Sequence, residues 1–178
     1  MEELEISMDE QHEAIHEHAE KSGERWMLYS ALIAALLAVA AAVSGLYSSH
    51  YANEAMLEQM SATDQWSYYQ AKGIKAALTE LRADMLESAH QPVPAAVTEK
   101  IERYGKEQQA IKEQATEEEH HAEHFMHRHE LLAKAVTAFQ IAIAITAISA
   151  ITRRRRFLIM SLVLALGGIE FMVQAFLI

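Results

Sequence analysis

The 178-residue chain contains no cysteine, two prolines and six glycines. Without cysteine it cannot form disulfides, thiol nucleophiles, cysteine-ligated zinc sites or iron–sulfur clusters. Basic residues are also scarce: 15 Lys and Arg stand against 25 Asp and Glu, which gives a net charge of −10. This charge argues against nucleic acid as a partner, because a nucleic-acid interface needs a basic face to displace phosphate counterions.

Hydrophobic residues make up 51% of the chain and are concentrated in three runs, at residues 26–47, 131–152 and 157–178. Each run has roughly the 20 residues that a helix needs to cross the hydrocarbon core of a membrane. The segments between the runs carry too many charges to be buried. The sequence therefore predicts an all-α protein with three transmembrane helices in contact with membrane lipid.

The charges that flank these runs predict a topology. Residues 1–25 are acidic and rich in His and Glu, and no cleavage site marks a signal peptide, so the first run is expected to be a retained span. Residues 153–156 are four arginines in a short turn, and clustered arginine beside a span stays cytoplasmic. The N-terminus is then cytoplasmic, and residues 48–130 lie on the opposite side of the membrane.

Residues 48–130 are expected to form a helical hairpin. Their only prolines are Pro92 and Pro94, and proline, together with the restricted residue before it, ends helices. The turn is therefore predicted at residues 91–94. Each arm is expected to continue from a span as one helix, and an arm of about 40 residues extends roughly 60 Å.

Both arms carry a stripe of residues spaced alternately by three and four. The first stripe consists of Tyr29, Leu32, Leu36, Val39, Val43, Leu46, His50, Asn53, Leu57, Met60, Asp64, Ser67, Ala71, Ile74, Leu78, Leu81 and Met85. The second stripe consists of Val97, Ile101, Tyr104, Gln108, Ile111, Ala115, Glu118, Ala122, Phe125, His129, Leu132, Val136, Phe139, Ile143, Thr146 and Ala150. A sustained 3.5-residue period is typical of helices that supercoil around one another. We therefore expect the two stripes to pack together as an antiparallel coiled coil outside the membrane.

Polar residues interrupt both stripes, among them His50, Asn53 and Asp64 in the first and Glu118 and His129 in the second. The predicted turn would bring His50 level with His129, and Asp64 near Glu118. Such residues either fix the register and the oligomeric state or line a hydrated or ion-binding interior.

Further apolar residues lie beside the first stripe, at Met56, Trp66, Tyr68 and Tyr69. A two-helix hairpin cannot cover all of them. They either widen the core of one hairpin or form contacts between the hairpins of a homo-oligomer. Rows of alanine in the first span also favour association, since they let helices approach closely in lipid, although they could serve packing within one chain.

Three polar residues fall within the predicted spans: Gln140, Glu170 and Gln174. An ionisable residue is costly to place in hydrocarbon, so its presence there points to a functional site. The second and third spans fold back on each other at their basic turn, which places Gln140 and Glu170 at about the same depth. A hydrogen bond between their side chains is then geometrically feasible. Glu170 is then either a structural protonated acid or part of an ion or proton pathway.

Two histidine clusters match patterns of zinc-binding helices. His12-Glu13-Ala14-Ile15-His16 matches H-E-x-x-H, and His120-His121-Ala122-Glu123-His124 matches H-x-x-E-H, but no third ligand or cleft accompanies either string. The second cluster has histidines at i, i+4 and i+7, which with a carboxylate could bind Zn, Ni or Cu. Its candidate ligands are His120, Glu123, His124 and His127. The cluster could equally respond to pH or form a solvated face.

Four strings carry a resemblance to a known family: Ala52-Asn53-Glu54-Ala55, Asp64-Gln65-Trp66-Ser67-Tyr68-Tyr69-Gln70-Ala71-Lys72, Phe139-Gln140-Ile141-Ala142-Ile143 and Thr152-Arg153-Arg154-Arg155. With these strings the chain resembles an uncharacterised bacterial membrane-protein family, domain of unknown function 4337. The resemblance implies a location in the bacterial inner (plasma) membrane. It brings no activity, substrate or active site.

The sequence favours a non-enzymatic protein, because no nucleophile, phosphate loop or cleft is recognisable and no catalytic residue can be assigned. We expect a homo-oligomeric scaffold or sensor that presents its hairpin to a protein partner. An oligomeric ion channel or transporter, with a histidine collar and Glu170, is the alternative. A divalent-metal-binding membrane protein is the second alternative, and no other cofactor is implied.

Overall fold

The computed structural model describes residues 8–178, with side chains from residue 25 onward. This part of the chain contains three α-helices and no strand: α1 is Met8–Ser88, α2 is Ala95–Thr152 and α3 is Arg155–Leu177. The all-α prediction is therefore confirmed. The histidines of the N-terminal cluster, His12, His16 and His18, lie outside the residues whose side chains are described.

Each of the three helices contains a stretch that is long and apolar enough to cross a membrane. The mean hydropathy of these stretches is 2.2 in α1, 1.9 in α2 and 2.0 in α3. Length and composition are thus compatible with a membrane location, as the three apolar runs predict.

The connection between α1 and α2 begins with a left-handed residue. His90 has a φ of 56°, and its N–H donates to the carbonyl of Glu87 at 2.9 Å, while the N–H of Gln91 donates to the carbonyl of Leu86 at 2.9 Å. These two bonds form a Schellman motif, which satisfies the last free carbonyls of α1. Pro92 and Pro94 follow and disfavour helical backbone at the residues before them, and α2 begins at Ala95.

The described chain separates into two compact units. The first, which we name the membrane unit, combines the chain up to Ser49 with Arg128–Ile178, and the second, the hairpin unit, is His50–His127. The membrane unit contains all of α3 and the apolar stretches of α1 and α2. Its buried core consists of Leu37, Ala135, Phe139, Ala142 and Ala165.

Polar bonds between helices supplement this core. The hydroxyl of Ser161 on α3 donates to the carbonyl of Ala142 on α2 at 2.8 Å and lies 2.6 Å from the hydroxyl of Thr146. Three residues further along α2, the indole N–H of Trp26 on α1 donates to the carbonyl of Ser149 at 3.0 Å. In a dry interior, hydrogen bonds of this kind between helices are worth about 0.6 kcal/mol each.

In the hairpin unit α1 and α2 run antiparallel, since residues further along α1 contact residues earlier in α2. The buried side chains of α1 here are Ala55, Ala62 and Ala76. On α2 they are Val97, Ile111, Ala115 and Ala122. All four of the α2 residues belong to the second stripe, whereas none of the α1 residues belongs to the first stripe.

The first stripe therefore does not pack against the second, and that prediction is wrong. Every member of the first stripe is exposed, whereas every member of the second is buried or half-buried. The physical reason is that small side chains let two helix backbones approach closely. Alanines on the opposite face of α1 fill the contact with α2, and the larger residues of the first stripe remain outside.

Candidate functional site: the exposed face of α1

The first stripe is the most extensive apolar feature of the described hairpin unit that no other side chain covers. Six of its members there are large apolar residues with 54% to 65% of their surface exposed: Leu57, Met60, Ile74, Leu78, Leu81 and Met85. They lie in a unit that carries many charged residues. They form two exposed clusters, Leu57 with Met60 and Ile74 with Leu78, Leu81 and Met85, between which the stripe carries Asp64, Ser67 and Ala71. Exposed apolar clusters of this kind mark an interaction site.

The exposed and buried faces of α1 occupy different positions of a seven-residue (heptad) repeat. If Tyr29 is position a, the first stripe occupies positions a and d, and the buried residues Ala55, Ala62 and Ala76 all occupy position f. Position f lies opposite the a/d face of a helix. The helix α1 thus contacts α2 with one side and presents the first stripe on the other.

Two polar contacts between the helices hold α1 in this orientation. The ammonium of Lys72 donates to the carboxylate of Glu107 at 2.5 Å, and the indole N–H of Trp66 donates to the carboxylate of Glu119 at 2.8 Å. Gly73 adds a close approach, because a Cβ atom there would lie 2.8 Å from Nε2 of Gln108. All three contacts are made by residues outside the first stripe.

The ammonium of Lys72 in the hairpin unit is surrounded by one carboxylate and two aromatic rings. Its Nζ lies 5.2 Å from the ring centroid of Tyr68 and 5.5 Å from that of Tyr104, so two aromatic faces flank it. The hydrogen bond to Glu107, followed by that to Tyr68, raises the pKa of Lys72. The same bond from Lys72 lowers the pKa of Glu107. The pair is therefore ionised at neutral pH and ties the two helices together.

The polar residues predicted to face each other across the hairpin do not do so. Asn53 and Asp64 belong to the first stripe and are exposed, so Asp64 does not face Glu118. Glu118 is half-buried on α2, where one carboxylate oxygen accepts from Gln114 at 3.2 Å and the other is buried without a partner. The orientation of α1 explains the error, because it turns the first stripe away from α2.

His50 and His129, which are predicted to lie level with each other, each make a separate polar contact. His50 lies 3.9 Å from Glu54, one turn along its own helix. Within the membrane unit, Nδ1 of His129 lies 2.9 Å from the carbonyl oxygen of Ser48 and 3.0 Å from its hydroxyl. The hydroxyl of Ser48 also lies 3.3 Å from the carbonyl of His129. Both imidazoles are thus engaged locally.

The apolar residues beside the first stripe divide into two groups. Trp66 and Tyr69 are half-buried and contact each other edge to face at 5.6 Å, so they widen the core of the hairpin unit. Met56 and Tyr68 are exposed and extend the apolar surface of the first stripe. The first interpretation of the sequence therefore applies to Trp66 and Tyr69, and contact of Met56 and Tyr68 with a neighbouring hairpin stays a prediction.

The polar residues within the spans lie on the outer surface of the membrane unit. Glu170 and Gln174 are exposed on α3, where the amide of Gln174 donates to the carboxylate of Glu170 at 3.2 Å. Gln140 is exposed on α2. The hydrogen bond of Glu170 is thus formed within α3 rather than with Gln140.

The side chains of the second histidine cluster do not surround a common point where a metal ion could bind. His120 and Glu123 are about four-fifths exposed and 4.0 Å apart, and the ring of His124 contacts Phe125 at 6.1 Å. His127 is exposed. Among residues with described side chains, no group of three His, Asp or Glu is arranged to hold a metal ion.

A groove of about 550 Å³ opens on the membrane unit between α2 and α3. Its walls are mainly apolar and include Ala138, Ile141, Leu164 and Phe171, and its polar end is formed by His129, Glu130 and Lys134. The carboxylate of Glu130 lies 3.9 Å from the ammonium of Lys134. This apolar groove adjoins the segments that are long and apolar enough to contact lipid.

The sequence did not lead us to predict that Lys72, Tyr104 and Glu107 lie together. A signal was present: Lys72 and Glu107 carry opposite charges and stand at similar distances from the proline turn on opposite arms. It was overlooked because Lys72 lies outside the first stripe. Gly167 and Gly168 suggest a close approach of helices, but the partner was missed: a Cβ atom on Gly168 would lie 2.7 Å from Cε1 of Phe139, and a glycine within an apolar run gives no sign of what it approaches.

No curated protein and no solved structure matches the chain. A protein-family model does, over residues 26–178, which include all three apolar stretches and the hairpin unit. The expected resemblance is therefore confirmed: the chain belongs to the family of the domain of unknown function DUF4337.

Proposed function

We propose that the protein is a non-enzymatic scaffold of the bacterial inner membrane, which self-associates and holds protein partners through its hairpin unit. The first stripe carries this proposal, because its large apolar residues are exposed in a unit rich in charge. A long, narrow apolar face on a helix suits another helix or protein surface better than a small ligand, which needs a concave site. The apolar stretches of the three helices would provide the membrane anchor.

The proposal includes a topology. Arginines at residues 153–156 would lie in the cytoplasm, as would the N-terminus, and the hairpin unit would lie on the opposite side. The apolar face would then be available to partners outside the cytoplasm. The same orientation in every copy would bring equivalent surfaces of neighbouring copies to the same height.

The mass of the native complex tests this function. The purified full chain is placed in lipid nanodiscs and weighed by native mass spectrometry, with empty nanodiscs as the control. We expect a discrete multiple of the chain mass, because burial of large apolar side chains favours association. A chain that stays monomeric at every concentration contradicts self-association, and with it the proposed scaffold.

An oligomeric channel or transporter is a second candidate, and the exposed polar residues of the spans favour it. Charged groups in hydrocarbon are costly and normally face a helix bundle or a water-filled cavity. In a single chain, Glu170, Gln174 and Gln140 face outward. Several copies arranged around an axis could enclose these residues in a hydrated path.

Ion flux into liposomes tests the second candidate. Liposomes with the wild-type chain are compared with protein-free liposomes, with Glu170→Gln and with the exposed hairpin variant Glu102→Gln as a matched control. A channel predicts flux that Glu170→Gln changes several-fold and Glu102→Gln does not. Flux at the protein-free level would rule out conduction and leave the scaffold.

A further inference from the structure

The groove between α2 and α3 has the dimensions of a site for an elongated molecule. Its residues all belong to the membrane unit, and its volume of 550 Å³ lies in the range of about 300–1,000 Å³ that ligand sites occupy. Along α2 the lining runs from His129 to Ile141, which is about 18 Å at 1.5 Å per residue. One leaflet of a membrane has a hydrocarbon depth of about 15 Å, so the groove matches an acyl chain in length.

The walls of the groove suit hydrocarbon. Ile141 and Leu164 form the end away from the charges, and Phe171 lines α3 nearer to them. Thr137 is the one residue of the listed wall with a hydroxyl, and this hydroxyl donates to the carbonyl of Ala133 at 2.9 Å within its own helix. An apolar occupant therefore leaves no polar group of Thr137 without a hydrogen bond.

The polar end of the groove carries one charge of each sign. The carboxylate of Glu130 and the ammonium of Lys134 lie 3.9 Å apart, and both side chains are more than half exposed. This distance exceeds the 2.7–3.2 Å or so of a hydrogen bond, and an exposed ion pair of this kind contributes little on its own. Both groups are thus able to hydrogen-bond a molecule that enters the groove.

His129 adds a second acceptor beside Glu130. Its Nδ1 lies 2.9 Å from the carbonyl oxygen of Ser48, and a carbonyl only accepts, so Nδ1 carries the hydrogen. The hydroxyl of Ser48 donates in turn to the carbonyl of His129 at 3.3 Å. In the neutral ring Nε2 is then an acceptor, and the polar end combines one cation with two acceptors.

We propose that this groove binds one phospholipid whose headgroup carries a primary ammonium. One acyl chain lies along the apolar walls, the phosphate accepts from Lys134, and the headgroup ammonium donates to Glu130 and His129. The inference goes beyond the proposed function: it rests on the membrane location included there and not on self-association.

The order of the charges along α2 supports this occupant. The apolar run of α2 begins at residue 131, so Glu130 and Lys134 lie at the level of the lipid headgroups when the run spans the membrane. Lys134 lies one turn nearer the apolar walls than Glu130, as the phosphate of such a lipid lies nearer its acyl chains than the ammonium. Glu130 repels the headgroup of a lipid that is only anionic, and a quaternary ammonium has no N–H to donate.

Native mass spectrometry of the full chain tests the choice of lipid. The delipidated protein in detergent is titrated with phosphatidylethanolamine, phosphatidylglycerol or phosphatidylcholine of identical acyl chains, and the dissociation constant of the first bound lipid is measured. We expect phosphatidylethanolamine to bind about fivefold more tightly than either of the others, because only it makes charge-assisted hydrogen bonds to both Lys134 and Glu130.

Two variants test the two ends of the groove. Glu130→Lys should reverse the preference in favour of phosphatidylglycerol, whereas Glu102→Lys, which changes an exposed carboxylate of the hairpin unit, should preserve it. Ile141→Trp should obstruct the apolar end and weaken binding of all three lipids about fivefold, since part of the apolar contact is lost. Ile148→Trp is its control, because Ile148 is exposed to 44%, like Ile141 at 47%, and does not line the groove.

The outcomes separate this inference from the proposed function. Equal affinity for the three lipids, or an unchanged preference in Glu130→Lys, overturns the inference even in a chain whose mass shows an oligomer. Lipid bound to the monomer but displaced from the oligomer also overturns it, since another copy would then cover the groove. Selective binding to a chain that stays monomeric supports the lipid site and contradicts the scaffold. Recovery of the chain in the soluble fraction of lysed cells contradicts both.

Discussion

A Cβ atom on Gly168 of α3 would lie 2.7 Å from Cε1 of Phe139 on α2. Phe139 is fully buried in the core of the membrane unit, so its ring has no free space to retreat. The two helices reach their observed separation because residue 168 has no side chain. The neighbouring Gly167 differs, since a Cβ atom there would meet nothing within 4 Å.

This contact predicts a destabilising effect for Gly168→Ala. The added methyl group must displace Phe139 or move α3, and overpacking of this kind costs about 1–3 kcal/mol. The thermal unfolding midpoint in detergent, followed by helical circular dichroism, measures the loss. Gly167→Ala is the matched control; its methyl group meets open space, and it should stabilise the protein by up to about 1 kcal/mol because alanine favours a helix over glycine. Equal midpoints for the two variants would show that the core accommodates the methyl group.

The left-handed residue of the first connection predicts a stabilising substitution. His90 has a φ of 56° at the end of α1, a conformation that costs a residue with a Cβ about 1 kcal/mol and glycine nothing comparable. We therefore expect His90→Gly to stabilise the protein by about 1 kcal/mol. His121→Gly, within a helix, should instead destabilise it by a few tenths of a kcal/mol. Changes of the same sign would contradict the assignment.

The Lys72–Glu107 pair predicts a pH dependence of stability. The pKa of Glu107 is lowered from its ordinary 4.5 by the bond from Lys72, so its stabilisation is complete above 4.5 and disappears as the pH falls through the lower folded value. The pKa of Lys72 is raised from 10.5 by its bond to Glu107. Its stabilisation is complete below 10.5 and disappears as the pH rises through the higher folded value.

Acidification separates the two groups experimentally. The unfolding midpoint of the wild type should fall more than that of Glu107→Gln as the pH drops below 4.5, because only the wild type loses the ion pair in this range. Glu102→Gln replaces an exposed carboxylate on the same helix and should follow the wild type. If Glu107→Gln also followed the wild type, the pair would not contribute measurably.

The open arrangement of the second histidine cluster predicts its response to zinc. Since its side chains do not converge, replacing three of them together should leave the zinc-binding isotherm of the full chain unchanged. The triple variant is His120→Gln, His124→Gln and His127→Gln, measured by calorimetry in detergent. A matched variant with Gln at His12, His16 and His18 examines the N-terminal cluster. Loss of a saturable heat in the first variant would restore the predicted metal site.

The predicted topology can be read from cysteine labelling in the cysteine-free chain. We expect Thr98→Cys in the hairpin unit to react with a membrane-impermeant maleimide on intact cells, and Thr152→Cys beside the arginine turn to react only in inverted vesicles. The wild type supplies the unlabelled control. The opposite pattern would invert the topology, and labelling of both positions on intact cells would contradict a separation by the membrane.

Much of the helical framework could be predicted from particular residues. Pro92 and Pro94 lie in the connection between α1 and α2, because proline cannot continue a helix. The second stripe was also predicted correctly, since Val97, Ile111 and Ala115 are all buried. The site was predicted only in part. The first stripe was recognised as apolar and periodic, but α2 was wrongly taken to be its partner.

The sequence by itself determined that the chain is helical, where its helices break, and that α1 carries a periodic stripe rich in apolar residues. Only the tertiary structure decided which face of α1 meets α2. Periodicity indicates which residues share a face of the helix but not which face contacts another helix. The choice depends on close packing, where alanines at Ala55, Ala62 and Ala76 let α2 approach, and the larger first stripe is left facing outward.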